Sequence, residues 1–324
     1  MIPSPPSSDV VVIPFPIFGQ FALPWYGVGY AIAIALGVWL TARLAQRRGL
    51  DVRHVGDALL WVLVGGVVGA RLYHVIDQWA LYRDDLLKIV LPPYSGLALY
   101  GGVLGGMVGA WLYTRHAHQP FLRWVDTVIP ALFFGQAIAR WGNFFNQELY
   151  GPPTNLPWGI VIDCAHRVPA YSCDLYPPGT AFHPLFFYES ALSFMGGLVA
   201  LVLITRFAAR LRDGDLLAFW LIWYGAVRTA LETLRLSYDF TFFGLPVAML
   251  IGSGAIVAGI VLLIWNRRRP APGRQEAGVG PAPPEAEPPP EAEPAPTAEP
   301  APAAEPAPAA EPAPAAASPP DPAR

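Results

Sequence analysis

The feature that most constrains this chain is a series of apolar stretches, each close to the length that crosses a lipid bilayer. About 20 apolar residues span the hydrocarbon core as an α-helix, which satisfies its backbone hydrogen bonds internally. The seven stretches are Trp25–Thr41, Ala58–Ile76, Gly96–Tyr113, Trp124–Phe145, Leu185–Phe207, Leu216–Leu234 and Phe243–Trp265. Because 54% of the residues are hydrophobic and only 14% charged, we predict an all-α membrane protein with seven transmembrane helices.

Basic residues between the stretches predict the orientation. Twelve arginines would lie on one side of the membrane: Arg43, Arg47, Arg48, Arg53, Arg115, Arg123, Arg206, Arg210, Arg212, Arg267, Arg268 and Arg269. The other side would have only Arg83, Lys88 and Arg167. Since cytoplasmic loops carry the excess of Lys and Arg, the N-terminus is predicted to lie outside and the C-terminus in the cytoplasm.

Three segments follow from this arrangement. Residues 1–21 form an N-terminal extracytoplasmic segment, and residues 22–266 form the transmembrane domain, with an extracytoplasmic loop region at residues 146–182. Residues 267–324 begin with a basic stop and continue as a Pro/Ala/Glu-rich tail. Such a composition cannot build a core, so the tail is predicted to be disordered in the cytoplasm.

The loop region contains the only two cysteines of the chain, Cys164 and Cys173. They are either incidental thiols or a short disulfide, and an oxidising compartment would favour the disulfide. Their spacing is not that of a metal site, and we predict neither a metal nor a soluble cofactor.

Polar side chains recur at helical spacing inside three of the apolar stretches. They are Arg140, Asn143 and Gln147 in the fourth, Tyr224, Arg228, Glu232 and Arg235 in the sixth, and Arg71, His74 and Gln78 at the end of the second. At about 100° per residue, each set falls on one helix face. An ionised side chain in mid-bilayer costs about 3 kcal/mol, so these faces need an explanation.

A structural explanation suffices for single residues. Arg228 and Glu232 could staple one helix, Arg140 could reach the interface, and His183 could cap the fifth helix. Taken together, the three faces contain more polar residues than packing requires. Converging arginines favour an anionic ligand from the bilayer, and guanidinium matches phosphate through a bidentate fork. The natural candidate is a phospholipid head group.

Glycines recur at intervals of four in two stretches. Gly101, Gly105 and Gly109 form one series, and Gly65 and Gly69 form another. This small-residue spacing predicts close contact between helices.

Several motifs resemble the bacterial prolipoprotein diacylglyceryl transferase family. The segment RWGNFFNQELYG, from Arg140 to Gly151, matches the family pattern R-x-G-N-F-x-N-x-E-x-x-G. The motifs LPWYG, GARLYHVI, YGGVLGG, HP…YE and YGAVRTALETLR occur in the family's order. The resemblance covers residues 22 to 266.

The resemblance implies a seven-span enzyme of the bacterial plasma (inner) membrane. Its activity would move the diacylglyceryl group of phosphatidylglycerol to the lipobox cysteine thiol of a prolipoprotein, forming a thioether and releasing glycerol phosphate. The implied partners are phosphatidylglycerol, prolipoprotein signal peptides with a lipobox cysteine, and the bilayer; no nucleic acid is implied.

The resemblance also implies the site residues. The catalytic ones are Arg228, Tyr100, Arg140 and Glu232. Those that bind phosphatidylglycerol are Arg140, Asn143, Asn146, Glu148, Gly151, Tyr26, Arg71, His74, His183, Tyr188, Glu189, Tyr224 and Arg235. Family members often have histidine where this chain has Tyr100, and a tyrosine of pKa near 10 is a poor base. Either Tyr100 only donates a hydrogen bond, or another group takes the proton.

Two alternatives remain open. A catalytically weakened relative would bind anionic phospholipid or prolipoprotein without transferring the group. A transporter could use the intramembrane Arg, Glu and His side chains as a relay, although the sequence has no inverted repeat.

Overall fold

A computed structural model describes residues 1–15, 19–90, 96, 98–235, 241–242 and 244–268. That part of the chain contains seven α-helices of 18 to 25 residues and one short helix. They are α1 (Trp25–Arg47), α2 (Arg53–Asp77), α3 (Leu99–His116), α4 (Phe121–Ala139), α5 (Trp141–Phe145), α6 (Leu185–Arg206), α7 (Asp215–Glu232) and α8 (Val247–Arg268). Six of the predicted apolar stretches each coincide with one helix, and the fourth coincides with α4 and α5, with ends that differ from the predicted ones by up to six residues. The tail from residue 269 lies outside the described residues, as does Phe243, the predicted start of the seventh stretch.

Five of these helices are long and apolar enough to cross a membrane. They are α1, α2, α6, α8 and the continuous segment formed by α4 and α5, which counts as one span. The helices α3 and α7 have only 18 residues each, and α7 contains Asp215, Arg228 and Glu232. Large apolar side chains such as Leu60 and Val261 are more than half exposed on the outer surface of the bundle. A surface of this kind is what a membrane protein presents to lipid.

The described part of the chain is mostly, not entirely, helical, because three two-stranded antiparallel sheets form outside the helices. Strand β1 (Asp9–Phe15) pairs with β2 (Gly19–Pro24), β3 (Ile160–Val161) with β4 (Ala181–Phe182), and β5 (Thr241–Phe242) with β6 (Leu245–Pro246). Segments outside the helices need other partners for their backbone groups. The valine-rich sequence of β1, DVVVIPF, favours the extended conformation.

The predicted close contact between glycine-rich helices is confirmed for α2 and α3. A Cβ atom at Gly69 would overlap the carbonyl oxygen of Gly101, and one at Gly65 would overlap that of Gly105. Glycine therefore lets the two backbones touch.

The main core lies between α1, α4, α6 and α7. Its fully buried side chains include Leu44, Phe133, Ala200 and Leu216. At the start of α7, the buried Asp126 of α4 accepts hydrogen bonds from the backbone N–H groups of Gly214 (2.8 Å) and Leu217 (2.9 Å). These bonds satisfy donors that a helix N-terminus leaves unpaired, and they fix α7 to α4.

A second, smaller core lies in the loop region between α5 and α6. It consists of Tyr150, Ile160, Ile162, Tyr171, Phe182 and Phe186. Cys164 and Cys173 form a disulfide beside it, with their Cα atoms 5.6 Å apart. The structure thus decides between the two interpretations of these cysteines.

Candidate functional site

The predicted polar motif lies where the fourth apolar stretch changes from α4 to α5. Arg140 is the residue between the two helices. Its guanidinium Nη2 donates to Oε1 of Glu189 in α6 and forms an ion pair with it. The Glu189 side chain is only 9% exposed, whereas that of Arg140 is 27% exposed. An arginine has five N–H donors, and this pair uses one nitrogen, so Arg140 retains donors for a ligand.

Asn143 of α5 lies at the centre of a polar cluster with Tyr26 and Glu148. Its Nδ2 donates to Tyr26 Oη at 2.5 Å and to Glu148 Oε1 at 2.7 Å, and Asn146 Nδ2 is 3.4 Å from the same carboxylate oxygen. A Cβ atom at Gly142 would be 2.6 Å from the ring of Tyr26, so glycine is needed for this approach.

The other amide atom of Asn143 is unsatisfied. Asn143 is 3% exposed, and within the described part of the chain its Oδ1 is buried without a hydrogen-bond partner. A buried acceptor without a donor costs free energy. A ligand hydroxyl that donates to Oδ1 would remove this cost.

An apolar cleft of about 480 Å³ lies beside the polar cluster, between α1, the α4–α5 segment and α6. Its lining includes Trp25, Gly142 and Ser190, the neighbours in sequence of Tyr26, Asn143 and Glu189. The rest is almost entirely apolar: Val28, Gly29, Ile32, Leu36, Phe134, Ala137, Ile138, Trp141, Phe145, Phe187, Ala191 and Phe194. A polar cluster next to an apolar cleft suits an amphipathic ligand.

The predicted helix face of Arg140, Asn143 and Gln147 is wrong for Gln147. Helix α5 ends at Phe145, and Gln147 has a left-handed backbone with φ 52°. Its side chain is buried and pairs with the loop residue Asp163 instead. Hydrogen bonds from Gln147 and Ser4 hold the pKa of the Asp163 carboxyl below its ordinary value. Helical periodicity contains no signal for this pair.

The candidates at the start of α6 form a chain of hydrogen bonds. Nδ1 of His183 lies 3.0 Å from Tyr188 Oη, which also accepts from Trp158 Nε1 at 3.0 Å. The backbone N–H of Gly151 donates to the carbonyl oxygen of His183 at 2.8 Å. His183 does not cap α6, because the N-cap residue is Pro184 and no side chain makes a capping hydrogen bond there. The His183 side chain contacts Tyr188 instead. The sequence did not predict Trp158.

Helix α7 carries the predicted Arg228–Glu232 pair. Arg228 Nη2 lies 3.3 Å from Glu232 Oε2, one turn away, and the two side chains are 18% and 4% exposed. Tyr224 stacks on Trp220, whose Nε1 donates to Gln136 of α4 at 3.3 Å.

Arg235, the last residue of the predicted face, lies in the turn that follows α7, which ends at Glu232. The backbone N–H of Arg235 donates to the carbonyl oxygen of Glu232 at 3.1 Å.

The guanidinium of Arg71 in α2 donates its hydrogen bonds to the connection between α2 and α3. It donates to the carbonyl oxygens of Lys88 (2.5 Å), Ile89 (3.0 Å) and Gly96 (3.2 Å), and it lies over the ring of Tyr82. The ring of His74 packs edge-on against the same tyrosine. Arg71 and His74 therefore have structural contacts here. The backbone of Tyr100 belongs to the first turn of α3, but its side chain lies outside the described residues.

No group of three His, Cys, Asp or Glu side chains in the described residues could hold a metal ion. The arrangement instead offers guanidinium groups, an unsatisfied amide oxygen and an apolar cleft. These features define a helical membrane protein with a candidate site whose chemistry suits an anionic amphipathic molecule.

The sequence profile of the prolipoprotein diacylglyceryl transferase family matches residues 12–265. The chain is 37% identical over 285 residues to the phosphatidylglycerol–prolipoprotein diacylglyceryl transferase of Chloroflexus aggregans, covering 83% of this chain and 93% of that protein. It is 38% identical over 263 residues to the transferase of the same name from Symbiobacterium thermophilum, covering 81% and 95%. For the one from Enterococcus faecalis, the identity is 37% over 256 residues, covering 78% and 90%. This chain belongs to the prolipoprotein diacylglyceryl transferase family.

Proposed function

We propose that this protein transfers the diacylglyceryl group of phosphatidylglycerol to the lipobox cysteine of a prolipoprotein. The observation that carries the proposal is that the Arg140–Glu189 pair and the polar cluster of Asn143, Tyr26 and Glu148 lie beside an apolar cleft in a chain of this family. The names of the relatives state the same lipid and the same acceptor protein.

The cleft takes one acyl chain of the lipid, while its head group meets the polar cluster. Arg140 binds the phosphate through donors that the ion pair with Glu189 does not use. A glycerol hydroxyl of the lipid donates to the unsatisfied Oδ1 of Asn143. Tyr26 and Glu148 hold the Asn143 amide in place, and Asn146, Gly151, Tyr188 and Glu189 complete this part of the site.

In the reaction, the cysteine sulfur attacks the glycerol carbon next to the phosphate. A carbon–sulfur bond forms as the carbon–oxygen bond breaks, and glycerol phosphate leaves with the electron pair. Arg228 stabilises the charge of the departing phosphate, and Glu232 orients its guanidinium. The thiol has an ordinary pKa near 8.5 and must lose its proton to a base. Tyr100 serves as a hydrogen-bond donor, while Tyr224 and Arg235 help to orient Arg228.

The protein crosses the bacterial plasma membrane seven times, with residues 1–21 outside and residues 267–324 in the cytoplasm. The excess of arginines on one side supports this orientation. The Cys164–Cys173 disulfide also supports it, since such bonds persist in oxidising compartments. The lipobox cysteine then arrives from the same outer side as the site.

The test is to incubate the purified protein with phosphatidylglycerol and a lipobox peptide and to measure the peptide's intact mass. A gain of one diacylglyceryl group is expected, and a control peptide with Ser in place of the Cys should show no gain. An unchanged mass would contradict the proposal. If phosphatidylglycerol stays bound in that case, the protein is a lipid-binding relative; uptake of a labelled solute by vesicles would indicate a transporter.

A further inference from the structure

We infer that Gln147 and Asp163 form a positioning pair, which holds Glu148 and through it the Asn143 amide in the geometry that binds the lipid. The inference rests on the proposed function and includes Asp163, which lies outside the Arg140–Gly151 motif. Asp163 belongs to the loop between α5 and α6, 20 residues after Asn143 in the sequence.

Two reciprocal hydrogen bonds join the pair. Gln147 Nε2 donates to Asp163 Oδ2 at 2.7 Å, and the backbone N–H of Asp163 donates to Gln147 Oε1 at 2.8 Å. Gln147 is only 4% exposed, so both ends of its amide are satisfied inside the protein. A paired, buried amide of this kind fixes the local backbone more firmly than an exposed one.

The backbone at this point needs such support. Gln147 and Leu149 have φ angles of 52° and 56°, in the left-handed region of the backbone that residues other than glycine rarely adopt. Glu148 lies between them, and its carboxylate reaches back to Asn143 at 2.7 Å. Without the Gln147–Asp163 pair, this left-handed turn would relax. The direction of the Glu148 side chain therefore depends on the pair.

Asp163 is itself anchored from two sides. Its Oδ1 accepts from Ser4 Oγ at 2.9 Å, and the next residue is the disulfide-bonded Cys164. Ile162, on its other side, is fully buried in the core of the loop region. The pair thus ties the site to a rigid part of the loop.

The test exchanges the two functional groups. Gln147→Glu places a carboxylate against Asp163, so the hydrogen bond from Nε2 is replaced by repulsion of like charges. We expect KM for phosphatidylglycerol to rise about tenfold, the effect of losing one such contact, with little change in kcat.

In the double variant Gln147→Glu with Asp163→Asn, amide and carboxylate change places. The new carboxylate accepts from the backbone N–H and from the new amide, whose oxygen still accepts from Ser4. We expect KM to return to within about twofold of the original value. Asp174→Ala is the matched control, because Asp174 is an exposed acid beside Cys173 in the same loop, and it should leave KM unchanged.

Each outcome has a definite meaning. If the unmodified protein transfers no diacylglyceryl group, the proposed function fails. If it does transfer, but Gln147→Glu leaves KM unchanged, the positioning inference is overturned. A lower kcat with unchanged KM, not recovered in the double variant, would indicate a loss of folded enzyme and would equally overturn it.

Discussion

At the scale of single residues, variants of the Arg140–Glu189 pair distinguish its effect on the stability of the protein from its effect on lipid binding. Arg140→Ala leaves the carboxylate of Glu189 buried without its partner, which costs about 3–5 kcal/mol. We expect the thermal midpoint in detergent to fall by about 5 °C or more and transfer to be lost. In the double variant Arg140→Gln with Glu189→Gln, the midpoint should recover, because the buried charge is gone, but transfer should not. Full transfer by the double variant would show that the phosphate does not need the charge of Arg140.

Arg228 is expected to act on the reaction more than on the fold. Arg228→Ala should lower the rate of transfer at least about 100-fold, the usual effect of removing one stabilising donor from developing charge. Arg228→Lys keeps the charge but not the fork and should retain partial activity. The midpoint of thermal unfolding, measured on the same samples, shows whether each variant is folded. Normal turnover by a folded Arg228→Ala variant would refute the assigned role.

The sequence predicted the residues of the polar cluster but not how they are connected. Arg140, Asn143 and Glu148 lie in one short motif, so their proximity follows from the local chain. The pair of Gln147 with Asp163 depends on a left-handed turn after α5, for which a helical pattern contains no signal. Likewise, the sequence did not predict that the Arg71 guanidinium donates hydrogen bonds to backbone carbonyl oxygens of the next loop.

At the scale of elements, the contact between α2 and α3 depends on glycine. A Cβ atom at Gly105 would lie 2.8 Å from the Cα atom of Gly69. We expect Gly105→Ala to destabilise the protein by about 1–3 kcal/mol, because the helices must separate. Gly56→Ala, at a position of α2 with open space around it, is the matched control and should be neutral or stabilising. Equal midpoints for the two variants would show that the close contact contributes nothing to stability.

Helices were easier to predict than the short strands for a physical reason. A helix that faces lipid needs a long apolar run, which the sequence displays directly. Strands such as β3 and β4 contain two residues each, and they pair residues 160–161 with 181–182 across the disulfide-bonded loop. No local pattern of two residues specifies a partner 20 positions away.

At the scale of the whole molecule, the seven long helices fall into two groups. Among the described residues, five have the length and composition of membrane spans. The helices α3 and α7 have 18 residues each; α3 is rich in glycine, and α7 contains Asp215, Arg228 and Glu232. Each short helix has an apolar partner, since α3 packs along α2 and α7 along α8. Polar groups on α3 and α7 can therefore face protein within the membrane, where they are tolerated.

The crossing of the membrane by α3 and α7 can be tested with single cysteines at their ends. The two native cysteines are bonded to each other, so they do not react with a maleimide. In intact cells, an impermeant maleimide should label Asp84→Cys before α3 and Leu234→Cys after α7, because the proposed topology places these positions outside. It should label His116→Cys and Ala208→Cys only after lysis. If both His116→Cys and Asp84→Cys react in intact cells, both ends of α3 lie outside and α3 does not cross the membrane. The arginines that follow α3 would then not lie in the cytoplasm, and the orientation derived from charge would be wrong.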